Sequence, residues 1–216
     1  MEFISTIVNA EYVTYAVAIA VAVAVLVAVL VGITVLARFL FRLFTVPGVV
    51  VHEFAHKQAC DLVGVPVLEV AYFRFGDPPG YVQHVTPDRY RASFVVSVAP
   101  FLVNTIVAFA AFLGLATLVS TTGDIRAASS ETIAAAAVLG WLGLSIGMHA
   151  FPSRGDANVL WNRSRTEWRG SPRVLLGVPI VVVIYIANLL SWLWADVLYA
   201  IGLFVLAAWI VGFGVA

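Results

Sequence analysis

Val13-Thr14-Tyr15-Ala16-Val17-Ala18-Ile19-Ala20-Val21-Ala22-Val23-Ala24-Val25-Leu26-Val27-Ala28-Val29-Leu30-Val31-Gly32-Ile33-Thr34-Val35-Leu36-Ala37 is an apolar run without a charged side chain. At about 1.5 Å per residue it exceeds a hydrocarbon core of about 30 Å. Val and Ile are β-branched, yet in lipid only a helix satisfies its own backbone, so the run predicts a transmembrane helix. Arg38 and Arg42 close it, and Pro47-Gly48 is expected to break the helix. The run is longer than the core of a signal peptide and has no basic stretch ahead of it, so no cleavable signal is expected.

The rest of the chain has the same character. Hydrophobic residues make up 62% and charged residues 11%, against about 45–50% and about 25% in soluble domains. The fold class expected is an all-α polytopic membrane protein, in one membrane domain spanning residues 1–216. Within it, residues 1–44 hold the first span, 45–160 a core and 161–216 a C-terminal helical pair. The formal net charge is zero, so nothing points to nucleic acid. Cys60 is alone, which excludes an internal disulfide; it reads as a buried, inert thiol.

A second helix is expected from Val49 to Leu62, ended by Gly64-Val65-Pro66. Residues 67–75 are rich in strand formers, Asp77-Pro78-Pro79-Gly80 is a turn signal, and Tyr81-Val82-Gln83-His84-Val85 follows, so a small β-hairpin is expected. An open sheet edge cannot face lipid, which puts the hairpin at the interface or against a cavity. Its free edge suits an extended peptide, with Tyr81, Val82 and Gln83 as the docking strand. Further spans are expected at Ser93–Leu118 and Thr132–Phe151, the latter with Gly143 and Gly147 at a spacing that lets helices approach closely. The last apolar stretch divides near Trp192–Asp196 into a fifth and a sixth, with Trp192, Trp194 and Tyr199 as an interfacial belt.

Residues 152–173 read as a polar loop with Arg154, Arg163, Arg165, Arg169 and Arg173 against Asp156 and Glu167, which makes it cytoplasmic by the positive-inside rule. Ser171-Pro172 reads as the start of the next helix. Alternating six spans then places residues 64–91 and both termini inside, and residues 121–131 outside. Arg38 and Arg42 fall outside, against the charge bias. A re-entrant motif helix would instead put those arginines inside and the N-terminus outside.

His52-Glu53-Phe54-Ala55-His56 is an HExxH motif. Four His and six Glu in 216 residues produce that pattern by chance about 0.002 times per chain, so coincidence is a poor account of it. Ionisable groups inside a membrane are costly and point to function. Positions i and i+4 share a helical face, so His52 and His56 can hold one zinc ion, with Glu53 as general base. The bland alternative is a helix carrying two polar histidines.

A catalytic zinc takes a third protein ligand. Asp61, Glu69, Asp77 and Asp88 lie near the second helix or the hairpin. Asp124, Glu131 and Asp196 fall on the opposite side by alternation. Asp156 is preferred, because it follows the fourth span on the side where the motif helix ends; the alternative is a carboxylate paired with Arg154. His149 is an orienting group, the third ligand itself or a hydrogen-bonded structural histidine. Asn104 either orients Glu53 or substrate, or bonds between helices. His84 reads as a surface residue.

Over residues 45–160 the chain resembles the site-2 protease family of intramembrane zinc metalloproteases. The resemblance rests on the HExxH motif, the hairpin after it and an Asp after a later span. The family's Asn-x-x-Pro…Leu-Asp-Gly pattern is met in part by His149-Ala150-Phe151-Pro152-Ser153-Arg154-Gly155-Asp156-Ala157, where His149 replaces Asn and Ala157 replaces Gly. Its Gly-Pro-x-x-Asn pattern is met loosely by Ala99-Pro100-Phe101-Leu102-Val103-Asn104. The resemblance implies a divergent member that cleaves membrane-embedded protein substrates held as a strand by the hairpin. Two other functions remain open: a membrane zinc hydrolase acting on lipid or soluble peptide, and a metal-binding transporter or scaffold. The surroundings expected are a lipid bilayer, in keeping with a prokaryotic plasma membrane.

Overall fold

The structure, a computed structural model, describes residues 2–124, 127–167, 177–190 and 194–214. It is mostly helical. The elements run α1 (Glu2–Val63), β1 (Val67–Ala71), β2 (Tyr81–His84), α2 (Tyr90–Thr122), α3 (Ser130–Gly147), α4 (Arg154–Glu167), α5 (Val178–Leu190) and α6 (Ala195–Gly214). The chain divides into two compact units, Met1–Leu43 and Phe44–Ala216. Among the described residues four helices, α1, α2, α3 and α6, are long and apolar enough to cross a membrane, rather than the six expected.

In the first unit every side chain from Tyr12 to Phe41 is exposed within the chain. The second unit holds the site. Here the expected break at Pro47-Gly48 does not occur: α1 continues through Pro47. Proline costs a helix an N–H and crowds the preceding turn. Around it, α3 supplies substitute partners: Trp141 Nε1 donates to the Phe44 carbonyl at 2.8 Å, and Gly48 N–H donates to Ser145 Oγ at 3.0 Å. Gly48 is required there, because a Cβ would run into the Ser145 carbonyl and the His149 ring. Gly64, at φ 71, ends α1, with Val65 N–H returning to the Cys60 carbonyl at 2.9 Å.

α2 and α3 are antiparallel: Asn104 meets Ile146, while Phe112 fills the space a side chain at Gly143 would need. α6 runs in the sense of α2, with Phe101 against Tyr199 at 5.9 Å and Phe112 against Phe204 at 5.5 Å. Gly147 gives the close approach expected of it, with Ala200 directly opposite. Residues 44–63 of α1 run in the sense of α3, as the Phe44–Trp141 and Gly48–Ser145 bonds show. One end of this bundle therefore collects the end of α1, the start of α2, the end of α3 and the start of α6.

The hairpin is present but shorter than expected. β1 and β2 pair antiparallel, Val70 opposite Val82 and Ala71 opposite Tyr81, with an irregularity between Val67 and Glu69. Arg74 ties the connecting loop, donating from its guanidinium to the carbonyls of Asp77 and Pro78 and lying over the Tyr81 ring.

Residues 152–173 are not simply a loop. Arg154–Glu167 is α4, started by Ser153, which caps it, and supported by an Arg163–Glu167 ion pair. The expected helix start at Ser171-Pro172 lies outside the described residues, as does Trp192. α5 also departs from the expected alternation. Its Val181 and Ile184 pack with Ala157 and Leu160 of α4 against Tyr90, Phe94 and Val98, near the start of α2. The next helix begins at that same end, so Asp196 is not on the far side. Tyr199 bonds Thr105 and packs on Phe101 and Phe151.

Candidate metal centre

One turn of α1 separates His52 from His56, and their rings meet edge to face with centroids 5.0 Å apart. Each ring is held by a backbone carbonyl. His52 Nδ1 lies 2.7 Å from the His149 carbonyl, and His56 Nδ1 lies 2.9 Å from the Val96 carbonyl. A carbonyl only accepts, so both Nδ1 atoms carry the proton and both Nε2 atoms keep a lone pair. His56 Nε2 lies 3.6 Å from Asp156 Oδ2. One ligand atom from each of His52, His56 and Asp156 lies within 4.8 Å of the others, so the three could hold a metal ion.

The donor set fits such an ion. Two ligand atoms about 2.1 Å from a tetrahedral centre stand about 3.4 Å apart, close to the 3.6 Å between His56 and Asp156. Asp156 is fixed by the start of α4. Its Oδ2 accepts Ser153 N–H at 2.9 Å and the Ser153 hydroxyl at 2.6 Å, while Asp156 N–H donates to Ser153 Oγ at 3.2 Å. This is a capping box, and Ser153-x-x-Asp156 is its sequence signature. Reading residues 152–173 as a loop missed it.

Beside the three lies a cavity of about 500 Å³, lined by Glu53, His149, Asp196 and residues 78–82 of the hairpin as well as by the three themselves. Glu53 is 9% exposed. Gly80 brings the hairpin onto it: a Cβ there would stand 2.7 Å from Glu53 Cγ and 2.9 Å from Val49 Cγ1. Of the expected docking strand, Tyr81 and Val82 line the cavity and Gln83 does not. His84 is partly exposed at the surface, as expected, and also lines the cavity. A hydrogen bond to Glu69 holds the Tyr81 phenol above its ordinary pKa.

His149 serves through its backbone. Its carbonyl takes both the His52 ring and the Asn104 amide, the latter at 3.0 Å. Its own Nδ1–H donates to the Ser145 carbonyl at 2.9 Å, and burial holds the imidazole below its ordinary pKa. Asn104 is fully buried and also reaches the carbonyls of Gly48 and Ile146, both at 3.3 Å. It therefore bonds between helices and touches Glu53 nowhere in the hydrogen-bond pattern. Its Oδ1 has no partner among the described residues. Cys60 is fully buried beside Ala59, Val65 and Val96, away from the three ligand atoms.

Asp196 was missed, because counting alternate spans put it at the other end. No known protein-family profile matches this chain, and neither the curated proteins nor the solved structures contain a detectable match.

Proposed function

We propose that this chain is a multi-pass membrane zinc hydrolase that cleaves peptide bonds of membrane-embedded substrates, as its resemblance to site-2 proteases suggests. The observation that carries the proposal is the histidine pair fixed as Nδ1–H tautomers, facing a capped Asp156 beside the buried Glu53.

Membrane insertion is supported by the exposed apolar run from Val13 to Ala37 and by α2, α3 and α6. Surface of that kind is costly in water, at about 25 cal/mol per Å². The arginines of α4 support a cytoplasmic position for the cavity end.

His52, His56 and Asp156 would hold the metal. A zinc ion there would lower the pKa of water towards 7 and act as a Lewis acid on the scissile carbonyl. Glu53 would take a proton from a water that adds its oxygen to the carbonyl carbon. When the C–N bond breaks, Glu53 would deliver that proton to the departing amine, giving an amine and a carboxylic acid that ionises by releasing the water's second proton. The outer edge of β2, with Tyr81 and Val82 at the cavity, suits an extended peptide as an added strand.

The test is cleavage by purified protein in lipid vesicles. A peptide with an apolar transmembrane segment should be cut by wild type and not by Glu53→Gln. Cleavage of lipid ester alone would replace the protease reading with the broader hydrolase reading. Absence of any hydrolysis by zinc-loaded protein would favour a transporter or scaffold.

A further inference from the structure

In an α-helix the carbonyl of residue i accepts the N–H of residue i+4. For Val96, in α2, that donor would be residue 100. Residue 100 is Pro100, inside α2 and with no N–H to give. The Val96 carbonyl receives the His56 ring at 2.9 Å instead. Val96 is 2% exposed and Pro100 is fully buried, so bulk water is no substitute partner.

We infer that Pro100 is a positioning residue for the metal centre: by leaving the Val96 carbonyl without its helical donor, it presents that oxygen to His56 and fixes Nε2 of His56 towards Asp156. The inference rests on the metal-site reading proposed above. Two effects of the proline act together. The missing N–H leaves the carbonyl in need of a donor, and the pyrrolidine ring crowds the carbonyl four residues back, turning it out of the helix. The direction that matters is towards α1, because Val96 packs there on Ala59, Cys60 and Val65.

The other ligand is built in a parallel way. His52 is held by the His149 carbonyl, which lies past the last residue of α3, Gly147. Both histidines are thus oriented by oxygens that lack an i+4 donor within a helix. An uninterrupted α2 would direct the Val96 carbonyl along its own axis and leave the His56 ring to compete for it.

The test restores the donor in the full-length purified protein, with Pro100→Ala and with Pro100→Val, which keeps more of the buried volume. The probe is cobalt ion alone, with affinity read by chelator competition and the tautomer of His56 read by [15N]histidine spectra. Wild type should show His56 as the Nδ1–H form. The variants should bind cobalt about ten-fold or more weakly, the effect typical of losing an orienting partner, with a mixed tautomer and an unchanged or raised thermal midpoint without metal. A role in packing alone would lower the midpoint and leave the tautomer as it was. Affinity within two-fold of wild type, an unchanged tautomer, or variants that both fail to fold would overturn the inference. If wild type binds cobalt and His56→Ala does not, an unaffected Pro100 variant rejects only this inference. If wild type binds none, the metal-site reading fails first.

Discussion

Asp156 is held against His56 through Ser153: the carboxylate oxygen that lies 3.6 Å from His56 Nε2 is also the one that closes the capping box of α4. A helix cap and a candidate metal ligand are the same carboxylate. Asp156→Ala should therefore lower metal affinity and loosen α4 together. Ser153→Ala should cost about 1 kcal/mol of stability and weaken metal binding less than Asp156→Ala does. Titration of both variants with zinc checks the order; equal affinity in wild type and Asp156→Ala would remove Asp156 from the ligand set.

Glu53 directly follows His52 in sequence but lies outside the His52–His56–Asp156 group. Glu53→Gln keeps its shape and loses its basicity. The variant should bind metal as wild type does and turn over about 10²- to 10⁴-fold more slowly. Single-turnover cleavage with matched zinc content measures this, and undiminished turnover would take the base role from Glu53.

Gly80 lies where the hairpin meets α1. A Cβ would come within 2.7 Å of Glu53 Cγ, so Gly80→Ala should overpack the contact at about 1–3 kcal/mol. The loop should move outward, lowering turnover while metal content stays constant. Turnover and stability both equal to wild type would show that the loop yields freely.

Asn104 gathers the carbonyls of Gly48, Ile146 and His149 onto one amide. Asn104→Leu leaves these buried acceptors short of a donor, at about 1–3 kcal/mol. Metal affinity should fall as well, because the His149 carbonyl holds His52. Ser145→Ala is the comparison: it removes the Gly48–Ser145 bond, lowering stability but sparing the carbonyl. Affinity losses of equal size in the two variants would indicate general loosening.

Much of this arrangement was legible in the sequence because the signals were local. HExxH predicts two histidines on one face, the Gly/Pro turn predicts the hairpin, and Gly143 with Gly147 predicts close packing. The choice of Asp156 depended on which end of the bundle each loop occupies, and there the structure agrees. The failures were non-local. Pro47-Gly48 reads as a break, and only Trp141 and Ser145, far along the chain, supply its partners. Alternating spans put Asp196 at the other end only if α5 is a full crossing, whereas α5 packs beside the start of α2. The helix over Arg154–Glu167 was hidden by its charges, although its capping signature was present.

The most direct measurement is the metal content of purified protein, by elemental analysis, for wild type and for His52→Ala, His56→Ala and Glu53→Gln. One zinc per chain is predicted for wild type and Glu53→Gln, and none for either histidine variant. Wild-type protein that binds no transition metal when zinc is supplied, or histidine variants that retain it, would contradict the metal centre on which the function rests.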